Sequence, residues 1–480
     1  MTHSKSRHPK SSSCPGPLCG PSLDRRWFLK FGLAGAGGLT LPSLLKLRAM
    51  AGERAATRSG KSVIMVWQPG GCSHIDTYDP KPLANSEYRG PFSQIPTKLP
   101  GYQFTELIPR QAAIADKMVV LRSMYQHAPG HPAGTMQLLT GDPETRDKPA
   151  PKYPDWMSIA HYLLNKKEAG AARALPGYVG INPPLEYNGP AYLGDSYSAF
   201  SITGDPSAPN FVVPNIGLTD ANEIGRIQRK VNLRQKLDNL DRAFDRIGEL
   251  GALDQFEVQA MSLLTSPETK RAFDLSLEDD ATRDRYGRNS WGQQLLMARR
   301  LAEAGVDIIT TSLSGKLCGR VHNWDDHAVN HNVFEALKFR SAAYDQAVTA
   351  LIEDIYARGL DKQILVVVTG EFGRTPRISY EPSTGAGDGS AAAGTKQPGR
   401  DHWVRGFTNI WSGGGIRVGQ VVGATDKLGE DAIERRCGPG DFLATIYHHL
   451  GIDSSKVFIE DFNGRPTPIV DHGKPIPELI

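Results

Sequence analysis

Cysteine is scarce in this chain. There are five in 480 residues: Cys14, Cys19, Cys72, Cys318 and Cys437. Two lie before residue 51 and the other three are scattered, which excludes a disulfide framework and any zinc-ribbon spacing. Long apolar runs are also missing. The longest candidate, Phe31 to Leu45, is glycine-rich and falls short of the roughly 20 residues that span a bilayer, so no stable membrane span is expected. Charge of one sign is lacking too. The formal net charge is +3, but residues 1–51 hold eight Lys or Arg against one acid. The remainder carries 47 basic and 51 acidic residues, a net of −4, which leaves no basic footprint for nucleic acid.

What is present begins with a leader. Arg25-Arg26-Trp27-Phe28-Leu29-Lys30 precedes the short apolar stretch, and Ala49-Met50-Ala51 offers a small-x-small cleavage site. Charged, apolar and small-residue regions in that order describe a secretory signal. The paired arginines resemble a twin-arginine signal, an address read by the export machinery; a general secretory signal or a tethered helix is the alternative. The expectation is a signal peptide over residues 1–51, a mature chain over 52–480, and a periplasmic or extracellular location.

Hydrophobic content of 39% and charged content of 22% describe a globular protein. The run Ile364 to Val368 reads as a buried parallel strand, and it stops at Thr369-Gly370-Glu371-Phe372-Gly373-Arg374. Ser62 to Trp67, Met118 to Leu121, Val306 to Leu313 and Phe407 to Trp411 read as further strands, with helical segments between them. That alternation predicts a mainly parallel sheet with helices on both faces. Residues 142–155 and 182–215 read as long loops, 221–304 as a helical insertion, and 385–398 as a mobile low-complexity segment.

Ligands in such sheets bind beyond the carboxyl ends of strands. Ligand-type residues cluster there: His74 with Asp76, Asp325 with His327, Glu371, and Asp401 with His402. Histidine mixed with carboxylate suits zinc or another borderline divalent ion, manganese or iron included, better than calcium. Each pair also has a plain structural reading as a turn or a helix cap. Arg374 suits bidentate binding of phosphate or sulfate, or else a structural ion pair with Asp401 or Glu371. His127 is a second candidate substrate contact.

The segments Gly70 to Pro82, Trp324 to His327, Thr369 to Pro376, Gly399 to Trp403 and Tyr447 to Asp453 resemble the signatures of exported proteins grouped as domain of unknown function 1501. That family looks like a sulfatase-like branch of the alkaline phosphatase superfamily. The resemblance implies a three-layer α/β/α sandwich with a metal site at the strand carboxyl ends. It also implies hydrolysis of a phosphate or sulfate ester, on a small molecule or a glycan, or else a binding protein that keeps the fold without turnover. Asp76 or His74, Glu371, Asp325, His327 and His402 would fill the metal positions, while Phe372 stands where a second-metal histidine would be. In sulfatases the nucleophile lies ten positions before the glycine of a Leu-Thr-Gly; here that place, counted from Gly141, holds His131. Three readings of His131 stay open: nucleophile or general acid, metal ligand, or an inert residue at a helix start.

Overall fold

Six residues buried in a row form β1, Ser62–Trp67. The sheet it belongs to also holds β2 (Met118–Met124), β3 (Tyr178–Ile181), β4 (Phe200–Ile202), β5 (Ile308–Ser312), β6 (Ile364–Thr369), β7 (Phe407–Gly413) and β8 (Gln420–Val422). The computed structural model describes residues 60–167, 174–181, 185–213, 216, 266–315, 317, 323–387 and 389–480. The expected signal peptide and residues 221–265 of the expected insertion lie outside those residues.

The sheet order is β8-β2-β7-β6-β1-β5-β3-β4. β1 pairs in parallel with β5 and β6, with Val66 opposite Val368. β7 runs antiparallel to both its neighbours, β6 and β2. Every other pairing is parallel, so the sheet is mainly parallel, as the sequence predicts.

Strands covered on both faces carry apolar residues at every position instead of every second one. Along β1, Ile64 and Val66 enter one core while Val63, Met65 and Trp67 enter the other; along β6, Val366 and Val368 oppose Leu365 and Val367. The first core is closed by α3 (Ser290–Glu303) and α4 (Val333–Ala357), the second by α1 (His131–Thr140), α2 (Trp156–Lys167) and α5 (Pro439–His449). The result is a three-layer α/β/α sandwich. Each fully buried Val or Leu contributes about 1.5–3 kcal/mol relative to exposure.

The structure departs from the sequence reading in three places. α3 was expected inside an insertion, but Leu295, Leu296, Met297 and Leu301 pack it into the core against the sheet. The stretch expected as loop holds β4, which extends the sheet edge beside β3. The segment expected to be mobile belongs to a hairpin whose strands, Ser379–Pro382 and Lys396–Gly399, pair antiparallel. Among the described residues, no helix is long and apolar enough to cross a membrane.

The carboxyl ends of β1, β2, β5 and β6 share one edge. Because β7 runs the other way, its start lies on that edge too, and this brings residues 400–406 to the same place.

Candidate metal centre

β1 leaves the sheet through Gln68-Pro69-Gly70-Gly71. Gly70 and Gly71 have φ of 101° and 81°, a region open to glycine at little cost. A Cβ on Gly70 would lie 2.5 Å from the Asp325 nitrogen, and one on Gly71 2.2 Å from the Phe372 carbonyl. Only bare backbone lets the β1 turn lie against both neighbouring loops. β6 ends at Thr369, and Gly373–Arg374 then pairs with His402–Trp403, Arg374 opposite His402. His131 is the first residue of α1, directly after its N-cap, Gly130.

These loops bring four side chains together. His131, Asp325, His327 and His402 each offer one ligand atom, all within 4.8 Å of one another. Asp325 Oδ1 lies 3.3 Å from His131 Nε2, 3.0 Å from His327 Nε2 and 3.2 Å from His402 Nε2. The other ring nitrogens face outward onto acceptors. His131 Nδ1 is 2.6 Å from Glu371 Oε1, His327 Nδ1 2.7 Å from Asp401 Oδ1, and His402 Nδ1 2.6 Å from the Pro129 carbonyl. An acceptor at Nδ1 requires the proton there, which leaves each Nε2 lone pair directed inward when the ring is neutral. Histidines that bind metals are held in this way by carboxylates and carbonyls.

The donor set fits a divalent ion. Three imidazoles and one carboxylate are a zinc-type set. His327 Nε2 and His402 Nε2 are 3.0 Å apart, and two inward lone pairs at that distance call for a cation or a proton between them. Without an ion, protons supply that charge. Burial opposes protonation of His131, but its hydrogen bonds to Asp325 and Glu371 prevail and lift it to about 9. Hydrogen bonds to Asp325 and Asp401 lift His327 to about 9 as well. His402 is pushed down, by burial first and then by the Arg374 charge. Burial alone would raise Asp325; hydrogen bonds from the three imidazoles and the charge of Arg374 hold it far below the usual carboxylate range.

Other candidates from the sequence stand elsewhere. Glu371 sits behind His131: its Oε1 also accepts from the Gly70 N–H at 2.8 Å, while its buried Oε2 has no partner. Asp401 sits behind His327 in the same way. Both orient histidines of the cluster and neither joins it. Asp76, expected at the metal, is fully buried in an ion pair with Arg400, at 2.7 and 3.2 Å, and accepts from Ser73 Oγ at 2.7 Å. His74, also expected there, turns its Nε2 to the Gly429 carbonyl at 2.9 Å.

Arg374, expected to face substrate, has no exposed side-chain surface. It donates to the carbonyls of Gly70, Gly71 and Arg400 and lies 2.6 Å from Asp325 Oδ1, so it holds Asp325 in place. His127 is exposed, and its ring packs edge-on to Tyr125, outside the cluster. The Phe372 ring lies 4.5 Å from that of His402 and 5.3 Å from that of His131, where it packs against the ligand side chains. Burial pushes the Cys72 thiol up to about 12, which leaves it unreactive. The sequence reading missed two supports, Arg400 and the Pro129 carbonyl. Arg400 was visible inside the Gly399–Trp403 motif; a backbone carbonyl leaves no mark in a sequence.

Comparison with known proteins gives a family and several solved structures. The family model described as "Protein of unknown function (DUF1501)" matches residues 60–480. No curated protein matches. Among solved structures, the chain is similar to the PsFucS1 sulfatase from Pseudoalteromonas sp., at 13% identity over 87% of this chain and 74% of that one, TM-score 0.33. It is similar to a phosphonate monoester hydrolase of Agrobacterium radiobacter, at 10% identity over 87% and 77%, TM-score 0.35. It is also similar to the C-terminal periplasmic domain of EcEptC from Escherichia coli in complex with zinc, at 10% identity over 82% of each chain, TM-score 0.31.

Proposed function

From the premise that the chain belongs to the family described as "Protein of unknown function (DUF1501)", we propose that it is a metal-dependent hydrolase of phosphate or sulfate esters. His131, Asp325, His327 and His402 hold one divalent ion, zinc before manganese or iron. The observation that carries this reading is the convergence of three imidazole Nε2 atoms on one carboxylate oxygen, each ring fixed from behind by an acceptor.

When bound, such an ion supplies Lewis acidity, polarising a phosphoryl or sulfuryl oxygen and acidifying water. The chain's own residues do the rest. Glu371, Asp401 and the Pro129 carbonyl set the tautomer of the three histidines, and Arg374 fixes Asp325. Phe372 packs against the rings of His131 and His402. Asp325 is 21% exposed and the three histidine side chains between 21% and 32%, so the cluster keeps an open side for a small ester or a glycan ester. His131 Nδ1 is committed to Glu371 and its Nε2 to the cluster, which favours the ligand role over the nucleophile.

A second reading, metal binding without turnover, is favoured by Phe372, which stands where the superfamily resemblance places a second-metal histidine. The test is metal analysis of the purified protein beside turnover of p-nitrophenyl phosphate, sulfate and phenylphosphonate. One equivalent of zinc with turnover that Asp325→Asn abolishes is expected. Metal without turnover selects the second reading, and absence of any bound divalent ion removes both. We also propose that Arg25 and Arg26 direct export by the twin-arginine route to the periplasm or beyond. Replacing both by lysine then leaves the precursor in the cytoplasm; continued export contradicts this.

A further inference from the structure

His327 lies in a stretch that is neither helix nor strand, between Trp324 and the N-cap of α4, Asn332. A buried irregular stretch must satisfy its backbone groups elsewhere. Some pair within the stretch, the Asn330 and His331 N–H groups with the His327 carbonyl; others go to one hairpin and the residue that follows it. Gln397, only 1% exposed, donates through Nε2 to the Ala328 carbonyl at 2.7 Å and accepts the Ala391 N–H at 2.8 Å. Thr384 donates from N and Oγ1 to the Val329 carbonyl, each at 3.0 Å. Ser390 Oγ donates to the Asn330 carbonyl, the Asn332 N–H donates to the Gly389 carbonyl at 3.1 Å, and the Arg400 N–H to the Asp326 carbonyl at 3.0 Å.

The small-residue composition follows from this contact. A Cβ on Gly387 would lie 2.1 Å from the Asn330 oxygen, and one on Gly399 2.0 Å from the Ala328 nitrogen. The hairpin lies backbone against backbone on the residues just after His327, and only glycine permits that approach.

We infer that Gln397 is a positioning residue for the cluster: it anchors the 379–399 hairpin to the carbonyl of Ala328, the residue after His327, and so sets the affinity for a divalent ion. This rests on the metal reading of the cluster given above. A ligand ring must be held to about 0.5 Å, and the outer ring nitrogen of His327 rests on Asp401, which is half exposed. Further constraint comes through the backbone: the His327 carbonyl accepts the Asn330 and His331 N–H groups, each at 2.9 Å, and Gln397 holds the Ala328 carbonyl that follows.

The experiment is zinc titration of the full chain against a competing chelator. Gln397→Glu sets a carboxylate against the Ala328 carbonyl, and zinc affinity is expected to fall about 10–100-fold, as for other supports of metal ligands. In a His327→Ala background the same substitution should change residual affinity by less than about twofold, because the path runs through His327. Ser390→Ala, a milder cut in the same hairpin, should weaken zinc binding several-fold and decides the matter if Gln397→Glu does not fold. Wild-type affinity in folded variants, or an equal loss in the His327→Ala background, overturns the inference. A wild-type chain that binds no divalent ion overturns the metal reading itself and is told apart by that result.

Discussion

Replacing Arg374 by lysine separates a structural arginine from a substrate-binding one. The guanidinium reaches three carbonyls from two segments, those of Gly70 and Gly71 in the β1 turn and that of Arg400, and the Asp325 carboxylate. An ammonium is a single point with three donors and cannot follow that fork. If it keeps Asp325 and one carbonyl, two buried carbonyls lose their partner, at about 1–3 kcal/mol each. The expected loss is about 2–6 kcal/mol, a large part of the 5–15 kcal/mol that holds a domain together. Urea denaturation should show a lower midpoint at unchanged slope. Zinc affinity should also fall about 10–100-fold, since an ammonium that has lost two of its carbonyl anchors no longer fixes Asp325 in one position. A loss of stability under about 1 kcal/mol together with abolished ester turnover would refute the reasoning and return the guanidinium to the substrate.

Three further outcomes follow from the same contacts. Glu371→Gln should leave the fold intact, lower the His131 pKa from about 9 toward the ordinary histidine value in an imidazole NMR titration, and weaken zinc about 10–100-fold; an unmoved titration contradicts the pairing. Asp76→Asn strands the buried Arg400 charge, so denaturation should report about 3–5 kcal/mol lost while metal stoichiometry stays at wild type; loss of metal in a folded variant would restore Asp76 as a ligand. His131 and His327 are raised to about 9 in the metal-free protein, so zinc must displace their protons and its affinity should rise with pH from about 6.5 to 9. The stabilisation those two protons give the metal-free protein is complete below about 6.5, the ordinary histidine value, and is lost as pH rises through about 9. Zinc binding independent of pH across that window would contradict the assignment.

The layers were legible because their signal is local. Ile364 to Val368 is apolar at every position, the pattern of a strand covered on both faces, and the structure places it beside β1 at the centre of the sheet. Asp325, His327 and His402 were legible as donors because they sit in short motifs just past strand ends. What the motifs could not separate was a member of the cluster from its support. Asp76 and Glu371 have the same chemistry as Asp325, but Arg400 neutralises one and His131 takes the other; that choice is made by partners over 200 residues away. The 385–398 stretch reads as mobile from composition, whereas Gly387 in it serves close backbone contact with Asn330, which composition alone does not distinguish.

The most direct measurement is a crystal structure of the zinc-loaded protein with anomalous data at the zinc edge. One strong peak is expected about 2.0–2.2 Å from His131 Nε2, His327 Nε2, His402 Nε2 and a carboxylate oxygen of Asp325, with Glu371 and Asp401 behind the rings. A peak bound by His74 or Asp76, or no peak among the four side chains, would contradict it.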